Sequence, residues 1–468
     1  MTTTVPVHMK NSLVNLDIAS HLHPQSDPRV LELEGPLVMT RGNGASVCDS
    51  EGREYLDGMA GLWCASLGFD DQRLREAAFQ QFEALSTYHA FNYRTNPPAI
   101  ELSSEILALA DMPDGKVFFT NSGSDAVDTM IKMAWYYNIS RGMPQKRRII
   151  SRTKAYHGST VLGAVLSGLP QMHKNFNLPD LNVIYTDPPY HYRYARRQED
   201  PIAFGKRLAQ ELDDLIVREN PDTIAAMIVE PVMGAGGVIV PPENYLIEVE
   251  KVLRSHDILM LSDEVICGFG RTGEWFGSQS FKSSPDMLSL AKGITSGYFP
   301  MGAVVIDNKI YQSIAESAHD VGVFSHGFTY SAHPVGAAIA LSTLAALREM
   351  DAPAVAANLG ACLQSELASS LSGHANLGEI RSRGFMAGVE IVADPSDGTA
   401  FPRDMAVGQR IERVCRANGL ILRNLGDTIS ICPPYIVTRE QVHFIAKVLT
   451  KAIDEVCEVA RRELSVAG

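Results

Sequence analysis

Residues 258–293 read ILMLSDEVICGFGRTGEWFGSQSFKSSPDMLSLAKG, and this stretch sets the expectation for the whole chain. Ile258–Leu261 and Met287–Leu290 are short, continuous apolar runs, the pattern of strands covered on both faces. Each run ends in charge: Ser262-Asp263-Glu264 follows the first and Ala291-Lys292-Gly293 the second. A carboxylate at the end of a buried strand is costly unless a cation pairs with it. A lysine there is unusual, because ammonium groups are almost never buried without purpose. Burial favours the neutral amine, a nucleophile for carbonyl chemistry. Taken singly, Asp263 also reads as a salt-bridge partner or a helix cap, and Lys292 as a side chain reaching to the surface. Together at two strand ends they suit a ring cofactor, with Asp263 as the partner of a protonated pyridine nitrogen.

Outward from this stretch the same texture repeats. Val117–Phe119, Ile149-Ile150, residues 182–185, Ala225–Val229 and Ala303–Ile306 are further apolar runs, separated by helical or loop stretches. With the first two they predict an α/β fold, a mainly parallel sheet of seven strands covered by helices. Ligands of such sheets sit at the carboxyl ends of the strands. After Val117–Phe119 comes Thr120-Asn121-Ser122-Gly123-Ser124, running into a helix pattern from Asp125. Glycine, hydroxyls and a helix N-terminus make a phosphate cradle, although the same residues also read as an ordinary N-cap. Tyr156-His157-Gly158 follows the strand at 149–152 and offers an aromatic to a planar ring, and Thr329 is a hydroxyl in a Gly-flanked loop. Residues 1–65 carry short strand-like pieces, residues 70–110 have helical periodicity, and a long Ala/Leu-rich helix at Val335–Arg348 opens a smaller α+β region.

Bulk properties narrow the function classes. A formal charge of −13 spread over 468 residues argues against nucleic acid, whose phosphates need a basic face. No apolar run approaches the roughly 20 residues needed to span a bilayer. The seven cysteines form no CxxC pair, and the first 16 residues lack the layout of an export signal, so a cytoplasmic protein with reduced thiols is expected. Pro188–Arg197, mixing aromatics and basic residues, reads as a decorated surface loop. His21 and His23 have metal-like spacing but read as N-terminal packing at a dimer, and no metal site is expected.

These motifs, with DGMAGLWC (57–64), FFTNSGSDA (118–126), EPVMGAGGVIVPP (230–242), AKGITSGYFPMGA (291–303) and HGFTYSAHP (326–334), resemble the class III aminotransferases of pyridoxal-phosphate (PLP) fold type I. The likeness is greatest to the ω-amino acid or amine:pyruvate subgroup and runs from about Leu22 to the C-terminal helix. It implies a large PLP-binding domain over 66–334, and a small domain built from the N-terminal segment 1–65 and the C-terminal segment 335–468. It further implies that Lys292 carries the cofactor and shuttles the proton, and that Asp263 pairs with the pyridine nitrogen. Tyr156 and Val265 would sandwich the ring, with Ser122, Gly123, Ser124, His157 and Glu230 also at the cofactor. Thr329 would reach a phosphate bound mainly by the neighbouring subunit, which requires a homodimer, alone or paired into a tetramer. Trp63, Phe91, Asn92, Tyr156 and Ala235 would line the substrate pocket, and Arg423 would pair with the carboxylate of an amino or keto acid. The implied reaction is ping-pong transfer from an ω-amino acid, polyamine or other primary amine to a keto acid, pyruvate first among them.

Several positions depart from the family pattern. Asp125 stands where Glu is usual and Met233 where Gln is usual, and Asn92 replaces an aromatic, which favours donors with a polar distal group. Ala235 occupies the place of a Glu that masks the arginine in the family's ornithine and γ-aminobutyrate enzymes, so Arg423 is expected to swing aside instead. An aminomutase or a decarboxylating transaminase would share Lys292 and Asp263 and is the alternative reading. A non-catalytic phosphate-binding α/β protein is the remote one, because it leaves that pair unexplained.

Overall fold

A computed structural model describes residues 12–467. The expectation about an export signal falls mostly on residues 1–11, which lie outside the described residues.

All seven apolar runs become strands of one sheet, in the spatial order Lys116–Thr120, Gly302–Ile306, Met287–Leu290, Leu259–Asp263, Ile224–Val229, Arg148–Arg152, Ile184–Thr186. The last five are mutually parallel. Gly302–Ile306 runs antiparallel to both its neighbours, Lys116–Thr120 and Met287–Leu290. Every residue of Ile224–Val229 and Leu259–Asp263 is buried, which is why these runs lack polar alternation. Helices Gly123–Ser140, Pro201–Glu219 and Tyr245–Ser255 cover the sheet, and the first is capped by the Ser122 hydroxyl accepting from Asp125 N–H at 3.1 Å.

Two smaller sheets flank the large one. Met39–Asn43, Ser46–Asp49 and Glu54–Asp57 form an antiparallel meander that Leu420–Ile421 extends in parallel, joining the two ends of the chain. Leu377–Arg383, Met386–Ile391, Thr428–Ile431 and Arg423–Leu425 form an antiparallel sheet covered by Ala352–Ser370 and Val407–Ala417, and the C-terminal helix Arg439–Ala467 packs on those two helices. The helix at 334–349 packs on Gln72–Ala84 and Pro97–Leu109. Gln72–Ala84 buries Leu74 completely but leaves Phe79 60% and Phe82 51% exposed, so its apolar stripe continues beyond the core of this chain.

Candidate active site

The carboxyl ends of the parallel strands open into a cavity of about 850 Å³, walled on its far side by the C-terminal elements. Ten expected residues line it: Trp63, Gly123, Ser124, Tyr156, His157, Glu230, Ala235, Asp263, Val265 and Lys292, and Arg423 lines it from the edge strand of the small sheet. Chain topology brings these distant stretches together because each follows, or abuts, a strand end.

Asp263 closes the Leu259–Asp263 strand and is buried. Its Oδ2 meets His157 Nδ1 at 2.8 Å, and its Oδ1 accepts from Ser289 Oγ and Val265 N–H, both at 3.2 Å. Glu264, one residue on, points the other way and is consumed internally: it accepts from Ser262 Oγ and from the N–H groups of Gly277 and Ser278. The acidic pair of the motif thus divides into one carboxylate for the cavity and one for the core. Glu230 is also committed, accepting from Tyr156 N–H through Oε1 at 3.1 Å and from Gly234 N–H through Oε2 at 2.9 Å. It fixes the backbone on both sides of the cavity, and burial raises its pKa.

Lys292 begins a tight helical turn, Lys292–Thr295, with a left-handed φ of 47°. Burial pushes its pKa down, and Asp263 opposes that effect more than any other charge. Its Nζ lies 5.9 Å from the centre of the Trp63 ring, and the Arg423 guanidinium lies 5.0 Å from the same ring. Two cations therefore face one buried indole, and neither makes an ion pair or side-chain hydrogen bond among the described residues.

The residues present fit a ring cofactor bearing a phosphate. His157 Nε2 and Trp63 Nε1 are buried without a protein partner, although both side chains belong to the cavity wall. At the N-terminus of Gly123–Ser140, a Cβ on Gly123 would stand 2.9 Å from Val265 Cγ1. Gly158, at φ 122°, would bring a Cβ within 2.6 Å of Ser124 Oγ. Only glycines keep this cradle open beside free helix N–H groups. Gly158→Ala is accordingly expected to weaken PLP binding at least about ten-fold, since left-handed strain and a displaced Ser124 together cost ~1–3 kcal/mol. A fluorescence titration of the apoprotein with PLP checks this, and an unchanged affinity would remove the cradle's role.

Ser122 does not line the cavity, because its hydroxyl caps the helix. Phe91, Asn92 and Thr329 also lie outside it, on the exposed surface of the chain. They are near one another: a Cβ on Gly327 would approach Phe91 Cζ to 2.8 Å, so the 326–330 loop rests on the segment containing Phe91. His21 and His23 flank Asp17, at 3.0 and 2.6 Å, and the turn after them brings Pro24 and Gln25 to the cavity. Met233 is fully buried and pairs with Ile239, and Asp125 sits in the first turn of its helix.

Sequence reading missed part of the wall. Leu169, Gln171 and Met172 come from a turn with no motif of its own, and Gln409 and Glu412 from the helix Val407–Ala417. The only signal for the last two was an amphipathic pattern ending just before Arg423.

Comparison with known proteins identifies the family. A family model described as aminotransferase class-III matches residues 30–453. The chain is 42% identical over 421 residues to mitochondrial gamma aminobutyrate transaminase 1 of Solanum lycopersicum, covering 90% of this chain and 82% of that one. It is 42% identical over 421 residues to vanillin aminotransferase of Capsicum frutescens, covering 90% and 92%. Among solved structures it resembles the omega transaminase of Pseudomonas jessenii in complex with PMP, with a TM-score of 0.94, 43% identity and 96% and 99% coverage. A PMP-bound aminotransferase from Vibrio fluvialis aligns with a TM-score of 0.92 at 39% identity, covering 95% and 98%. The chain belongs to the class III aminotransferases, PLP enzymes that move an amino group from an amine to a keto acid.

Proposed function

We propose that this aminotransferase takes its amino group from an ω-amino acid, polyamine or other primary amine and delivers it to a small keto acid, pyruvate in the first place, by alternating half-reactions. The observation that carries this reading is the Arg423 guanidinium, half-buried over Trp63, with no acid in contact. A desolvated cation without a partner is a receptor for a carboxylate. Leu62, Ile421, Leu422 and Leu425 give the cavity apolar wall beside the polar Gln409, Glu412 and Asn424, which suits the apolar stem of an amine.

The placement of individual residues supports a role for each in this reading. Gly123 and Ser124 would hold the cofactor phosphate, Tyr156 and Val265 would flank its ring, and Asp263 would pair with the ring nitrogen. His157 and Ser289 hold the Asp263 carboxylate in place. When bound, PLP supplies the electron sink for negative charge developing at the donor carbon. Lys292 Nζ takes the proton from the donor carbon that bears the nitrogen, a task suited to an amine whose pKa burial has lowered. Trp63 closes one side of the cavity and keeps water from the reacting carbon.

A homodimer belongs to the same reading. Phe79, Phe82, Tyr88, Phe91 and Tyr93 are all exposed, and the loop with Thr329 rests on Phe91, which suits a surface covered by a second subunit. Phe91, Asn92 and Thr329 would then complete the partner's cavity. Among the described residues no helix is long and apolar enough to cross a membrane, and the seven free cysteines suit a reducing compartment such as the cytoplasm.

The acceptor assignment is tested by Arg423→Ala. The expected result is a rise in KM for pyruvate of at least about ten-fold with little change for a carboxylate-free aldehyde acceptor. An equal change for both would contradict the assignment. Product analysis separates transfer from the mutase and decarboxylase alternatives, which yield an isomer or carbon dioxide.

A further inference from the structure

The cavity holds three carboxylates. Two of them, Asp263 and Glu230, have both oxygens engaged by protein donors. The third, Glu412, stands on the Val407–Ala417 helix in the wall next to Arg423. Its hydrogen bonds all fall on Oε2, which accepts from the Asn424 backbone N–H at 3.1 Å and from the Asn424 side-chain amide. Oε1 has no hydrogen-bond partner among the described residues. Because Asn424 directly follows Arg423, these bonds fix the carboxylate relative to the backbone that carries the guanidinium. The two charged groups are not in contact in this conformation, in which the guanidinium lies over Trp63.

We propose that Glu412 is the resting partner of Arg423: it receives the guanidinium while a carboxylate-free donor fills the cavity, and releases it when the keto acid's carboxylate arrives. This rests on the reading of Arg423 as the acceptor's clamp. Two substrates must use one cavity in turn, and an unpaired guanidinium beside an apolar donor would lose solvation without gaining a partner. Ala235 brings no charge to the wall, so the compensating carboxylate has to come from another element. Glu412 is that element's contribution: it lines the same wall as Arg423 and is held by Asn424, the residue that follows the arginine. Burial disfavours the charge on Arg423, and Glu412 is the leading influence opposing it, ahead of Tyr156. Arg423 in turn disfavours the charge on Lys292. Moving it aside therefore also changes the field at the reactive amine between the two half-reactions.

The experiment uses the holoenzyme with Glu412→Gln, which keeps the size of the side chain and an oxygen for Asn424. A carboxylate-free monoamine serves as donor and pyruvate as acceptor. The expected result is a donor KM raised about ten-fold with the pyruvate KM unchanged or lowered, and substantial recovery in Glu412→Asp. In an Arg423→Ala background the same Glu412→Gln change is expected to alter donor KM less than about two-fold, because the pair it breaks is already gone. Equal rises in both KM values would assign Glu412 a purely structural role and overturn the proposal. So would a loss confined to diamines, which would make Glu412 a direct receptor for a second ammonium, or an undiminished effect without Arg423. If Arg423→Ala alone leaves the pyruvate KM unchanged, the clamp itself fails, an outcome separate from that of Glu412.

Discussion

Lys292→Ala is expected to lower turnover at least about 10⁴-fold, the full contribution of a positioned base together with loss of the nucleophilic amine. The size follows from the cavity: among the described residues no other amine lines it, and Arg423, the other cation there, does not deprotonate in the working pH range. Cofactor is still expected to bind, because the Gly123–Ser124 cradle and the Asp263–His157 pair do not depend on Lys292. The variant should fold, since removing a side chain from a cavity wall leaves the buried strand Met287–Leu290 intact. Steady-state alanine formation from pyruvate measures the effect. Retention of more than about one part in a hundred of wild-type turnover would exclude Lys292 as the proton-transferring base.

Asp263→Asn carries the second largest expected effect, a fall in kcat of about 100- to 1000-fold, the magnitude typical of removing one preorganised charge from a reacting centre. The amide keeps the shape and can still accept from Val265 N–H and Ser289 Oγ. It removes the charge that, in the proposed role, would keep a ring nitrogen protonated, and it alters the demand on His157, whose Nδ1 meets the carboxylate at 2.8 Å. Because the loss lies in the chemical step, KM for the donor should move far less than kcat. Single-turnover measurements with donor alone check this. A variant with normal kcat and raised KM would mean that Asp263 only supports the shape of the cavity.

Much of the fold was legible because the parallel strands are buried on both faces. Their runs could not alternate, so Ala225–Val229 and Met287–Leu290 stood out from the helices around them. The same burial made Asp263 and Lys292 conspicuous, as charges at places where charge requires a reason. The antiparallel insertion of Gly302–Ile306 between Lys116–Thr120 and Met287–Leu290 was not legible, because strand order depends on crossovers that leave no local pattern. Ser122 showed both of its readings at once, and the capping bond to Asp125 occupies its oxygen. Glu412 was invisible for a different reason. On an amphipathic helix it looks like any solvated acid, and only the folding of Arg423–Leu425 against that helix makes it part of the cavity. The surface set at Phe91, Asn92 and Thr329 lies outside the cavity of one chain, and the role proposed for it depends on a second subunit, which neither local pattern nor one chain's packing supplies.

The central claim is that Lys292 and PLP carry an amino group through this cavity in two separable halves. Its most direct test is the visible spectrum of the PLP-loaded protein, recorded after adding a primary amine donor and again after adding pyruvate. The band of the lysine-bound cofactor is expected to disappear with donor and return with pyruvate, with one equivalent of alanine formed per site. A band that no amine discharges, or one that discharges and never returns with any keto acid, would contradict it.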